Sequence, residues 1–264
     1  MPGALPGHGL ATGQPPAGPD ACGKETMEPL RKNTDDDLLV LAFYILVDAS
    51  YSMSGAPMLA VNEILPEVIS TIEQSPTLGD VVRLGALDFA DDARVVLRLD
   101  DLRNIGGVPQ FAARGGTSYA AGFRQLRKEI ESDLAQLKGD GYKVYRPAVF
   151  FITDGEPTDD QKDLDAAFAE LTDANFRGRP NIIPFGVVSS VNKQTLDPWV
   201  YPKPADRGKP MRSYVYSGQG DAATAIRQIA EILISSIVAS VNSVNDSGTA
   251  GGFVPPDDDL DDWI

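Results

Sequence analysis

The sequence has one cysteine, Cys22, and one histidine, His8. A lone cysteine excludes an internal disulfide and any CxxC metal or redox site, and it suits a reducing compartment. A lone histidine, placed in what reads as a flexible leader, cannot build a Ser-His-Asp triad or a histidine-ligated zinc site. There is no GxxxxGK[ST] phosphate loop and no internal repeat. The longest apolar run, residues 38–47, falls short of the ~20 residues a membrane-spanning helix needs. Positive charge is scarce: 23 Lys and Arg stand against 38 Asp and Glu, a net charge of −15. That balance argues against nucleic acid or anionic lipid as the main partner. No Lys or Arg follows Arg227, whereas Glu231, Asp246, Asp257, Asp258, Asp259, Asp261 and Asp262 do.

What remains suits a globular α/β chain: 264 residues, 42 % of them hydrophobic and 8 % aromatic, enough for one domain with a sizeable core. Residues 1–34 are rich in Pro, Gly and Ala without periodicity, and a disordered leader is expected there. The opening MPGALPGHGLATGQPP has neither the basic start nor the apolar core of a signal peptide. Residues 35–243 are expected to form the domain, and residues 244–264 a flexible acidic tail. Such a tail most simply keeps the chain solvated. A sharper reading has its carboxylates, anchored by Trp263, bind a partner or a neighbouring copy's metal site.

Ten apolar or aromatic residues, 38–47, lead into Asp48-Ala49-Ser50-Tyr51-Ser52. The run reads as a strand buried on both faces in the middle of a parallel sheet. A helix follows, with Met58, Val61, Leu65, Val68 and Ile72 on one face. Pro66 predicts a bend or break within it. Residues 81–89 and 94–99 read as a hairpin that places one antiparallel edge strand on a mostly parallel sheet. Gly115-Gly116-Thr117-Ser118 precedes a helix with Tyr119, Phe123, Leu126, Ile130, Leu134 and Leu137 inward. Residues 148–152 predict a central strand that ends in Thr153-Asp154-Gly155. Thr158 and Gln161 have capping-box spacing for the next helix. Residues 181–188 and 211–216 predict two more strands, residues 195–200 a short helix, and residues 221–241 a last one. The alternation points to a three-layer α/β/α, Rossmann-like architecture.

Three loops meet the same sheet edge, where open α/β sheets bind ligands. They offer Asp48, Ser50 and Ser52, then Thr117, then Asp154. Alternate residues of an extended segment share a face, so the first three can converge. Taken alone they would equally suit a helix N-cap, and Asp154 a turn. Together the five make an oxygen-only set suited to Mg²⁺ or Mn²⁺ rather than zinc. Because the hydroxyls are neutral, the ion would keep much of its charge and one position would stay open to an outside carboxylate. Asp88 could reach the same edge but reads as structural, and Glu156, Asp159 and Asp160 as solvated or capping residues.

Asp48-Ala49-Ser50-Tyr51-Ser52, Thr117 within GGTSYAAGF and Asp154 within FFITDGEPTDD resemble the metal-ion-dependent adhesion site of a von Willebrand factor type A (vWA) domain. The likeness spans roughly residues 38–241. ITDGEPTDD and the closing LISSIVASVNSV are similar to TerY-type proteins of bacterial tellurium-resistance and stress-response clusters. The resemblance implies a cytoplasmic, metal-dependent interaction module. Its protein partner would supply an Asp or Glu side chain to the ion, and a phosphatase, kinase or AAA-type protein would act beside it. Tyr51 stands where the family usually has glycine, which bears on ligand specificity. The competing readings are a Mg²⁺-dependent phosphoester hydrolase, which lacks an obvious base, and a metal-free scaffold. A binding module that is not an enzyme is the reading preferred.

Overall fold

The structure is a computed structural model that describes residues 38–188, 191–203, 211–247, 252–256 and 260–264. The leader expected over residues 1–34, with His8 and Cys22, lies outside the described residues.

Strand β1 (Leu39–Asp48) is buried over all but its first residue, as its unbroken apolar run requires. It pairs in parallel with β2 (Val82–Phe89) on one side and β5 (Ala148–Thr153) on the other. Beyond β5 lie β6 (Asn181–Gly186) and the two-residue β7 (Tyr214–Val215), both parallel. β3 (Ala93–Asp100) is the antiparallel edge expected from the hairpin, and its half-exposed residues fit an edge. The sheet order is β3-β2-β1-β5-β6-β7, and β4 (Lys143–Val144) pairs with the start of β1.

Alternation along β1 builds the layers. Leu41, Phe43, Ile45 and Val47 face one side, where α1 (Ala56–Glu73) and α6 (Ala222–Ser247) cover them. Ala42, Tyr44 and Leu46 face the other, against α3 (Tyr119–Gly139) and α4 (Gln161–Thr172). Short helices α2 (Pro76–Val81) and α5 (Lys193–Leu196) complete the chain. By length and composition α6 could cross a membrane. Its Ile226, Ile229, Leu233, Ile237 and Val241 are instead buried in the core facing α1 and the sheet, which accounts for their apolarity.

Three expectations need correction. α1 runs unbroken through Pro66. The proline is exposed while Ile64, Leu65, Val68 and Ile69 around it are buried, so packing against the sheet holds the helix together. Thr158 is not a cap: Asp160 caps α4 by accepting from the Lys162 amide. Finally, the described part of the tail is packed rather than loose. Phe253 sits edge-on to Phe43 and Phe150, and Trp263 is buried against Phe185 and Tyr216. Burial of each ring offsets part of the freedom that the segment loses on docking.

Candidate metal centre

The register of β1 against β5 pairs Val47 with Ile152. It therefore brings Asp48 and Thr153 side by side at the carboxyl edge. Thr153 Oγ1 donates to Asp48 Oδ2 at 2.7 Å, and the Ser50 amide donates to Asp48 Oδ1 at 2.8 Å. Asp48 is thus anchored at both oxygens and is fully buried. After Asp48 the chain stays extended at Ser50 and then enters a single 3₁₀ turn, Tyr51–Met53. Ser50 Oγ and Ser52 Oγ lie 2.9 Å apart, and Ser52 Oγ donates to Asp154 Oδ1 at 2.8 Å. Two loops that are far apart in the chain are thereby joined.

Thr117 enters from the third direction. Its carbonyl accepts from both the amide and the hydroxyl of Thr158, at 2.9 and 3.1 Å. Its hydroxyl lies 3.8 Å from where a Cβ on Gly155 would stand, next to Asp154. Backbone bonds tie its loop to the first one: Arg114 N to Ala49 O at 2.5 Å, and Tyr51 N to Gly115 O at 3.2 Å. Gly115 has φ +59°, and Asp91 leaves no room for a Cβ there. Asp91 also accepts from the Gly116 amide at 2.9 Å. All five expected residues therefore lie at one edge. Asp48, Ser50, Ser52 and Asp154 are linked directly, and Thr117 is held beside them through its backbone.

Burial raises the Asp48 carboxyl to about 6, against the opposing pull of hydrogen bonds from Ser50 and Thr153. Burial raises Asp154 as well, opposed by Ser52. Among the described residues no Lys or Arg forms an ion pair with either carboxylate. Two desolvated carboxylates without a cation, flanked by neutral hydroxyls, fit a hard divalent ion. No group of three or more His, Cys, Asp or Glu side chains that could hold a metal occurs among the described residues. Any ligand set at this edge would have to add hydroxyl, carbonyl or water oxygens to the carboxylates. Tyr51 is 71 % exposed beside this set.

Several supporting residues escaped the sequence reading. Thr153 is one, although a hydroxyl closing an apolar strand was a signal for it. Tyr119 donates to the Gly155 carbonyl at 2.6 Å. Asp159, expected as a solvated or capping residue, does cap, but it caps α3 from another loop, accepting from Ser118 Oγ and the Ala120 amide. Asp88 is structural, as expected: it is buried in an ion pair with Arg114.

The sequence model described as von Willebrand factor type A domain matches residues 43–198. No curated protein sequence matches the chain. Similar solved structures share the fold. One titled von Willebrand factor type A, from Catenulispora acidiphila, aligns at a TM-score of 0.53 and 14 % identity, covering 75 % of this chain and 43 % of its own. The D319A mutant of the PilB minor pilin from Streptococcus sanguinis gives 0.55 and 11 %, covering 83 % and 65 %. The pilus adhesin SpaC from Lactobacillus rhamnosus GG, in an open conformation, gives 0.55 and 16 %, covering 76 % and 30 %. This chain therefore spans less than two thirds of each of those structures.

Proposed function

Since this chain belongs to the von Willebrand factor type A domain family, a family of protein-interaction domains, we propose that it captures an acidic side chain of a protein partner through Mg²⁺ or Mn²⁺. Asp48, Ser50, Ser52, Thr117 and Asp154 hold the ion. Bound there, the ion supplies a Lewis-acidic point for the partner's Asp or Glu. The chain's own groups do the rest. Thr153 and the Ser50 amide fix the Asp48 carboxylate, and Asp159 and Thr158 fix the Thr117 loop. The observation that carries this reading is the bond from Ser52 to Asp154, which closes two distant loops around one point.

Isothermal calorimetry with Mg²⁺ and Mn²⁺ tests it. The wild type should bind one ion, and Asp154→Ala should bind far more weakly. A wild type that takes up neither ion would leave the scaffold reading. In this proposal the site binds and does not turn over. Phosphoester and nucleotide substrates should give no Mg²⁺-dependent hydrolysis that Asp48→Ala removes. We place the chain in a bacterial cytoplasm, within a tellurite or stress-response system of the TerY type, beside a phosphatase, kinase or AAA-type protein. The support is the wording around the motif, ITDGEPTDD and LISSIVASVNSV. Recovery of such a partner from native extract with Mg²⁺, but not with chelator, is the expected result.

A further inference from the structure

The outer edge of β7 carries a built site for an extended peptide, and residues 260–264 fill it. The backbone of Val215 exchanges two hydrogen bonds with Ile264, each 3.0 Å. Tyr216 and Trp263 form an antiparallel bridge, so the segment adds a short strand to the sheet edge. The Trp263 ring lies 5.5 Å from Phe185 and 5.4 Å from Tyr216, edge-on to the first. Gln228, on α6, reads two residues at once. Its Oε1 accepts from Trp263 Nε1 at 3.0 Å, and its Nε2 donates to Asp262 Oδ2 at 2.8 Å. Ser217 donates both its amide and its hydroxyl to the Asp262 carbonyl, at 2.8 and 3.2 Å. Gly218 leaves room for that aspartate: a Cβ there would lie 2.7 Å from Asp262 Cγ.

The contacts specify Asp-Trp, by main-chain pairing, an aromatic pocket and a side-chain amide. They are also few. β7 is two residues long, and Ile264 is 59 % exposed. Charge does not help. Among the described residues no Lys or Arg forms an ion pair with Asp261 or Asp262, and the chain they dock on carries a net charge of −15. A specific but shallow seat, filled by a short acidic strand on an acidic protein, is suited to exchange.

We propose that the β7 edge, with Phe185, Tyr216, Ser217, Gly218 and Gln228, is a recognition site for an Asp-Trp-Ile strand. The chain fills it in cis, and the same strand of a second copy fills it in trans. The trans complex uses contacts identical to those made in cis, so exchange creates no new interface requirement. Its strength is set by competition with the tethered strand, whose effective concentration is on the order of millimolar.

Two full-length variants separate the two halves. Gly218→Val closes the seat and leaves the strand as a donor. Trp263→Ala removes the donor and leaves the seat. Each alone should sediment as a monomer. Mixed in equal amounts at about 100 µM they should form a one-to-one complex, because an open seat meets a free strand. Chelator should not change it. A mixture that stays monomeric overturns the proposal. So does a complex lost on adding EDTA, which would assign the contact to the metal site instead. A second measurement uses the Trp263→Ala chain, whose seat is open and whose fold is checked by its far-UV spectrum. A labelled peptide of residues 257–264 should bind it saturably, and the same peptide carrying Trp263→Ala should not. Equal binding of the two peptides, or none by either, also overturns the proposal.

Discussion

Thr153 shows what one hydroxyl decides at the sheet edge. Fully buried, it donates to Asp48 Oδ2 and accepts from the Gly155 amide at 3.2 Å. Thr153→Val keeps the shape and removes these bonds, together with those to the Tyr119 hydroxyl and the Gly155 carbonyl. We expect a loss of about 1–2 kcal/mol, read by denaturant unfolding. A drop of roughly tenfold or more in Mg²⁺ affinity should accompany it, since groups that orient a ligand act on the metal through it. An unchanged affinity would show that Thr153 serves folding alone. Asp133 offers a pH test away from the metal. It accepts from the Tyr44 hydroxyl at 2.8 Å, and burial raises its carboxyl above the ordinary range. The folded chain therefore holds that proton more tightly than the unfolded chain does. The resulting stability is fully present below the unfolded value and is lost as pH rises through the folded one. Asp133→Asn cannot ionise and can still accept from Tyr44. Its melting temperature should gain on the wild type as pH rises above the ordinary carboxylate range, through the raised value in the folded chain. A difference that is flat with pH would contradict the sign.

At the scale of elements, the start of α3 depends on a distant loop. Ser118 accepts from the Ala121 amide in the usual way, and its hydroxyl is bound in turn by Asp159. Asp159→Ala should cost about 1 kcal/mol of stability and loosen the Thr117 loop. Chemical denaturation and Mg²⁺ titration of the same sample would show both effects; loss of stability without loss of affinity would confine Asp159 to capping. This scale also shows where sequence reasoning stops. The long strands and the helices α1, α3, α4 and α6 were legible because continuous apolar runs and a spacing of three and four leave few alternatives. β4 was missed because two residues carry no period. The capping box misled because Thr158 is a good cap in isolation, yet its amide and hydroxyl both go to Thr117, 41 residues away. Pro66 predicts a break locally and is overruled by the buried residues on either side.

For the whole molecule, metal binding and folding should be linked. An ion that binds the folded chain at about a hundred times its dissociation constant adds about 2.7 kcal/mol. Mg²⁺ should therefore raise the melting temperature of the wild type, and EDTA should reverse the rise. Asp48→Ala should abolish the increment. Its own cost without metal should be about 1–2 kcal/mol, because it frees the Thr153 hydroxyl and the Ser50 amide but also removes a buried carboxylate. Phe151→Ala, by contrast, should cost about 3–5 kcal/mol, since that ring packs against Phe89, Tyr119 and Phe123 in the core. If Asp48→Ala destabilises as much as Phe151→Ala, the site is structural.

The residues alone determined the layers and the donor set. Apolar runs dictated which strands lie buried, helical spacing dictated which faces cover them, and the hard oxygen donors stand where strands end. Tertiary structure decided which hydroxyl meets which carboxylate, and that Trp263 folds back onto β7. Ser52 and Asp154 are 102 residues apart, and Asp48 and Thr153 are 105 apart. Such pairings depend on the register of β1 against β5; a side-chain pattern fixes register where one face is polar, but both strands are buried on both faces, so their apolar runs leave it open.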